Sequence, residues 1–186
     1  MGAKGPLHPE EGRGSMILSA LRLMVLVAVA LPGASPPSAS AEDEDAVAMA
    51  AALKDATLTL EDGLKAGARE GQPISAQFEI DDGKLRLSIY TSKGDDFTEV
   101  VADPKTGAIV KSEKITDSDE LTDAADQKAT MEKATVSLAA AVGMAVKENT
   151  GALAVAVFPD LRDGRPVADV TLLQGTTART VTKKLE

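Results

Sequence analysis

The chain contains no cysteine and no tryptophan, and its single histidine is His8. Without cysteine it has no disulfides, no thiolate metal ligands and no cysteine for lipid attachment. Aromatics are scarce: Phe78, Tyr90, Phe97 and Phe158 are the whole set. A core must therefore come from Leu, Val, Ile and Ala, each large aliphatic side chain stabilising by ~1.5–3 kcal/mol on burial. Long apolar runs are missing too. Leu23–Leu31 spans nine residues, whereas a membrane helix needs ~20. Cations are in the minority, with 20 Lys and Arg against 29 Asp and Glu, a net charge of −9. That balance argues against nucleic acid as a partner, because phosphate contacts need clustered Lys and Arg. It also argues against an anionic membrane surface, and suits a soluble protein with cationic or neutral partners.

The run Leu23–Leu31 follows Arg22 and ends at Pro32 and Gly33. Ala39-Ser40-Ala41 then offers an A-x-A cleavage site before Glu42-Asp43-Glu44-Asp45, so residues 1–41 read as an export signal with a Pro/Ser/Ala-rich leader. Met16 stands just ahead of the signal and is an alternative start to Met1. Retention of the run as an anchor is the alternative to cleavage. Cleavage after Ala41 leaves 145 residues with 17 bases and 27 acids, and removes His8. Ser-His-Asp and Cys-His catalysis are then impossible. A chain of that length holds a core without covalent staples, although each half alone would be marginal.

What the chain does have is a repeat. Ala56-Thr57-Leu58-Thr59-Leu60 returns as Ala134-Thr135-Val136-Ser137-Leu138, a shift of 78 positions. Each copy leads into a short helix, a Gly and strands joined by Gly turns. In the first, Asp45–Asp55 are helix formers. Thr59 is an N-cap, with Glu61 and Asp62 in the first turn where the helix dipole favours acids. Leu60, Leu64 and Gly67 share one helical face, and Gly71 and Pro73 stop the helix. Ile74, Ala76, Phe78 and Ile80 then alternate with polar residues, as do Leu85, Leu87 and Ile89. Asp82-Gly83 and Lys93-Gly94 supply hairpin turns. Phe97–Ala102 and Ala108–Ile115 complete an antiparallel meander.

Thr116–Asp123 reads as a polar linker before a helix over Ala124–Thr135. Ser137 caps the next helix, which buries Leu138, Val142 and Ala145 and ends at Asn149-Thr150-Gly151. The remaining strands are Leu153–Val157, Val167–Leu173 and Thr176–Leu185. Leu153, Val155 and Val157 alternate with Ala, which suggests cover on both faces. From Gly94 to Gly175 the shift has grown to 81, an insertion of three residues assigned here to the loop around Asp163-Gly164. No fourth strand recurs. The expected fold is α+β, two repeats of short helices packed on three- to four-stranded antiparallel sheets, over residues 42–116 and 117–186. Whether the two sheets join is left open.

Thr59-Leu60-Glu61-Asp62-Gly63-Leu64, Gly71, Asp82-Gly83 and the closing Asp103-Pro104-Lys105-Thr106-Gly107-Ala108-Ile109-Val110 together resemble a PepSY domain. The ending matches that family's Asp-x-x-Thr-Gly-x-hydrophobic pattern. Ser137–Leu185 resembles a degenerate second unit without it, and the tandem plan is also similar to β-lactamase-inhibitor-type repeats. The resemblance implies a secreted or periplasmic, non-catalytic module, and restraint of a peptidase. It carries no defined functional residues onto this chain.

The chemistry-bearing residues have plainer readings. Asp103-Pro104-Lys105-Thr106-Gly107 could hold Ca²⁺ through carboxylate and carbonyls, but reads as a β-turn. Asp117, Asp119, Glu120, Asp123 and Asp126 could draw a basic partner or a divalent ion, and read as a solvated segment with acids near a helix N-terminus. Asp81-Asp82 and Asp95-Asp96 are paired carboxylates at hairpin tips, without the pocket that acid–base catalysis needs. Ser112 and Lys114 have no catalytic spacing. No catalytic residue, metal ligand or cofactor site is assigned. Possible partner contacts are Tyr90, Phe97 and Arg179. Tyr90 fits an exposed anchor or cross-strand packing; Phe97 fits the core better; Arg179 lies on Thr176–Leu185, a candidate sheet edge guarded by Lys183 and Lys184. The expectation is an exported binding module for an envelope or secreted protein, a peptidase in its most specific version. The alternative is a small-ligand or divalent-cation-binding periplasmic protein.

Overall fold

In the computed structural model the described residues are 41–186; the segment read from the sequence as an export signal and leader, residues 1–41, lies outside them up to Ser40. The first half runs α1 (Ala41–Ala52), a 3-10 turn at Leu53–Asp55, α2 (Leu60–Gly67), β1 (Gln72–Asp81), β2 (Lys84–Lys93), β3 (Asp96–Ala102) and β4 (Ile109–Lys114). The second runs α3 (Ser118–Met131), α4 (Leu138–Glu148), β5 (Leu153–Arg162), β6 (Arg165–Gln174) and β7 (Thr177–Lys184). The class is α+β, as expected. The two sheets do join: all seven strands form one antiparallel sheet in the order β4-β3-β2-β1-β5-β6-β7.

The halves meet where β1 pairs with β5, Ala76 opposite Val157 and Gln77 opposite Ala156. Each half repeats the other around this line. Asp82 and Gly83 take positive φ in the first hairpin, and Asp163 and Gly164 do so in the second, 81 positions on. The β-bulges recur at the same interval, between Pro73 and Ser75 and between Ala154 and Ala156. The strand hairpins therefore match residue for residue. The three-residue insertion lies instead in the helix, since α4 has 11 residues and α2 has 8. This corrects its assignment to the Asp163-Gly164 loop.

The bulge also overturns the simple alternation in β5. Ala154 sits opposite Leu172, Ala156 opposite Thr171 and Val157 opposite Val170, so Val155 is the extra residue. Beyond it the faces exchange, because side chains alternate with period two. Val157 is fully buried, while Leu153 is 53% exposed. The strand is not covered along its length on both faces.

One sheet face carries Ala76, Leu87, Ile89, Val157, Val170 and Leu172, all fully buried. Helices α2 and α4 pack on it and against each other. Thr59 caps α2 by accepting from Asp62 N, and Ser137 caps α4 by accepting from Ala140 N. Close approach of α2 depends on glycine. A Cβ at Gly63 would stand 2.2 Å from Leu87 Cδ2, and one at Gly67 would stand 2.7 Å from Ile89 Cγ2 and 3.2 Å from its Cβ. The matching positions in α4 are Ala141 and Ala145, both fully buried.

The same anchor holds each helix pair. Pro104 O accepts from Thr57 N and Leu58 N at 2.9 and 3.0 Å; Leu185 O accepts from Thr135 N and Val136 N at 2.7 and 2.9 Å. The segment before each second helix is thus tied to the chain leaving the third strand.

Helix α3 begins earlier than expected. Ser118–Asp123, read as linker, forms its first turns because Asp117 accepts from Asp119 N and Glu120 N. A side-chain cap satisfies otherwise orphaned amides, and the acids that follow suit the dipole. α3 reaches the sheet face opposite α2, where Gln127 Oε1 accepts from Ser75 Oγ at 2.7 Å.

Two substitutions separate close packing from helix propensity. Gly67→Ala drives a methyl into the buried Ile89 and should destabilise by about 1–3 kcal/mol. Gly143→Ala meets only the Glu61 carboxylate, at 3.1 Å, which can swing aside. It should stabilise by up to ~1 kcal/mol as a helix-interior Gly→Ala change. Urea unfolding midpoints measure both signs.

Candidate functional site

The polar residues of the first half converge on the sheet face opposite α2. Glu79 on β1 stands across from Arg86 on β2, and Tyr90 on β2 across from Glu99 on β3. Ser88, fully buried between them, donates a shared hydrogen bond to Glu79 Oε1 at 2.7 Å and Glu99 Oε1 at 3.0 Å. Arg86 pairs with Asp81, and Lys111 with Glu113 at 2.9 Å. Apart from the Lys111–Glu113 pair within β4, these side chains stabilise one another across strands. The row was visible in the alternation of β1 and β2 but not singled out, because alternation marks a face without saying which polar groups meet.

The second half has its own polar group on that face. Arg162 donates to Asp169 Oδ2 at 2.5 Å and to Thr182 Oγ1 at 2.9 Å, and Thr182 donates to Asp169 Oδ1 at 2.7 Å. Phe158, opposite Asp169 in the register, is 37% exposed beside it.

The paired acids at the hairpin tips stay apart from any enclosed site. Asp95 pairs with Lys128 at 3.3 Å and Asp96 with Lys114 at 2.8 Å. The latter engages the amine of the Ser112–Lys114 pair. Asp103 Oδ1 accepts from Lys105 N, Thr106 N and Thr106 Oγ1 at 2.9, 2.8 and 3.0 Å. Thr106, through its amide and hydroxyl, holds this carboxyl below its ordinary range. The arrangement is that of an Asx turn, with Gly107 at φ 71°. Among the described residues no three acids, histidines or cysteines are grouped to hold a metal ion.

Of the three candidate contacts, Arg179 is exposed and donates to Asn149 Oδ1 at 2.5 Å. It lies on β7, which is an edge of the sheet. Tyr90 and Phe97 are partly buried and pack against the core. The structure does not bring the three together. A shallow groove of about 370 Å³ lies elsewhere, between the end of α2 and the start of α4; Leu64, Ala68, Pro73, Met131, Val136 and Leu138 form its apolar walls.

These features define a helix-on-sheet module whose polar groups serve turns, caps and sheet pairing. Residues 43–113 match the family model PepSY, described as peptidase propeptide and YPEB domain. The matched segment, from within α1 into β4, is a PepSY-type domain. No curated protein matches the chain. Among solved structures, a candidate lipoprotein of Clostridium difficile 630 is similar over 70% of this chain and 88% of its own, at 15% identity and a TM-score of 0.40. Among the described residues no helix is long and apolar enough to cross a membrane.

Tyr90 gives a single-site probe of the polar face, since it is the chain's one tyrosine and there is no tryptophan. Burial, with Glu99, Glu79 and Glu120 nearby, raises its phenol well above the ordinary value. The folded state therefore keeps a proton that the unfolded chain releases near pH ~10. The resulting stability is complete below that pH and is lost as pH rises toward the folded value. Absorbance of the phenolate should appear only well above pH ~10 in the native protein, together with unfolding, and near ~10 in denaturant.

Proposed function

We propose that the chain is an exported, non-catalytic binding module of the cell envelope that engages another protein, with restraint of a peptidase as its most specific form. The observation that carries the reading is the match of residues 43–113 to a family described as peptidase propeptide and YPEB domain. The export signal read in residues 1–41 supports the location. Support for a binding role comes from the use of the polar groups. Asp81, Asp95 and Asp96 sit at or beside hairpin tips in ion pairs, and Asp103 closes a turn. None lines an enclosed pocket of the kind that tunes a catalytic acid.

Edge strand β7 is the surface proposed for the partner. Its outer side pairs with no strand among the described residues, and it carries Arg179, Lys183 and Lys184 in an otherwise acidic chain. An extended acidic segment can add to such an edge, with main-chain hydrogen bonds giving affinity and the cations giving selectivity. Tyr90 and Phe97 would contribute by holding the sheet from behind.

The test is retention of proteins from an envelope extract on the immobilised mature chain, followed by assay of any retained peptidase. The expected result is a retained protein whose binding weakens at least several-fold with Arg179→Glu. Retention of no protein by the wild-type chain would overturn the proposal.

A further inference from the structure

The two edges of the sheet differ in one respect that bears on self-association. The charged residues of β7 are all cations, so no register of β7 with its own copy sets opposite charges across from one another. β4, Ile109-Val110-Lys111-Ser112-Glu113-Lys114, carries both signs. Among the described residues no strand pairs with its outer side. Val110 is 63% exposed and Ile109 40% exposed on this edge, an apolar exposure that edge strands usually avoid.

The ladder fixes which backbone groups face outward. Ile115 N donates to Phe97 O on β3 at 3.0 Å. Because donors and acceptors alternate sides along a strand, Glu113 and Lys111 also turn theirs toward β3. Ser112 and Lys114 turn theirs outward. An antiparallel copy can satisfy those outward groups only in registers that pair Ser112 with Ser112, Val110 or Lys114 of the other chain. Pairing Ser112 with Val110 sets Lys111 against Lys111. Pairing it with Lys114 sets Glu113 against Glu113. Only Ser112 opposite Ser112 sets each Lys111 across from a Glu113, twice over by symmetry. Opposite charges directly across strands stabilise, and like charges destabilise.

We propose that two copies of this chain associate through β4, antiparallel about Ser112, in a two-fold dimer that extends the sheet across both. The contact is self-complementary, as a two-fold interface must be. Lys111 and Glu113, already paired at 2.9 Å within the strand, supply the charges of both halves. The chain contains a precedent, because its own halves join edge to edge on a ladder as short, Ala76 opposite Val157 and Gln77 opposite Ala156. That junction also has α2 packed on α4. The β4 contact has no such helix cover in the geometry described, and the bulge at Val110 ends its regular ladder after Lys111. The dimer therefore belongs to the weak, transient class of interfaces.

Sedimentation velocity on the mature chain, from roughly 10 µM to 1 mM, tests it. The wild type should shift from monomer to dimer as concentration rises. Lys111→Glu alone and Glu113→Lys alone should each abolish the shift, and the double variant Lys111→Glu with Glu113→Lys should restore it. Ser112→Pro, which removes an outward N–H that β3 does not use, should also abolish it. Circular dichroism verifies that each variant is folded. A wild type that stays monomeric throughout would overturn the proposal. So would a dimer indifferent to the single charge reversals, or growth beyond dimer through β4 meeting β7 of the next copy.

Discussion

The short pairing of β1 with β5 is the constraint on which the molecule rests. Two ladder positions join what would otherwise be two small sheets, each with too little core to stand securely. The join works because it brings α2 and α4 side by side over a common apolar layer, α2 covering β1 and β2, α4 covering β5 and β6, and each helix reaching the first strand of the other half. A two-position ladder contributes little by itself. The burial that it aligns contributes most of the driving force.

The duplication keeps physical devices more faithfully than residues. The segment before the second helix is bound by a carbonyl after the third strand in both halves, although that residue is Pro104 in one and Leu185 in the other. Each half bulges its first strand, with Ile74 as the extra residue in one and Val155 in the other. Glycines admit α2 to the sheet where alanines admit α4. The longer α4 absorbs the three added residues. What varies between the halves is the charge along the outermost strands, and this gives each edge its own partner chemistry.

Much of this architecture was legible beforehand. The caps at Thr59 and Ser137, the Asp-Gly hairpins and the strands flanking them follow from local chemistry, because a cap or tight turn is decided by a few adjacent residues. The family resemblance rested on the same turn and cap residues, and the match over residues 43–113 covers that stretch. Three features escaped. α3 starts at Ser118 because Asp117 caps it, which a run of acids concealed as linker. The insertion lengthens α4 rather than a loop, since alanine-rich helix and alanine-rich strand look alike in sequence. The bulge in β5 reverses its faces, and its signal is the partner strand rather than the strand itself. The polar row of Glu79, Ser88 and Glu99 was visible only as alternation; its hydrogen bonds depend on three strands lying in one register.

By itself, the amino-acid order settled the α+β class, the repeat, the absence of disulfides, and the acidic character. These follow from composition and from contacts between near neighbours. The tertiary structure alone decided that the two sheets are one, that β4 and β7 are its edges, and that Tyr90 and Phe97 lie against the core while Arg179 remains outside. Each of those depends on which strand lies beside which, a matter of long-range pairing that no local stretch of the chain encodes.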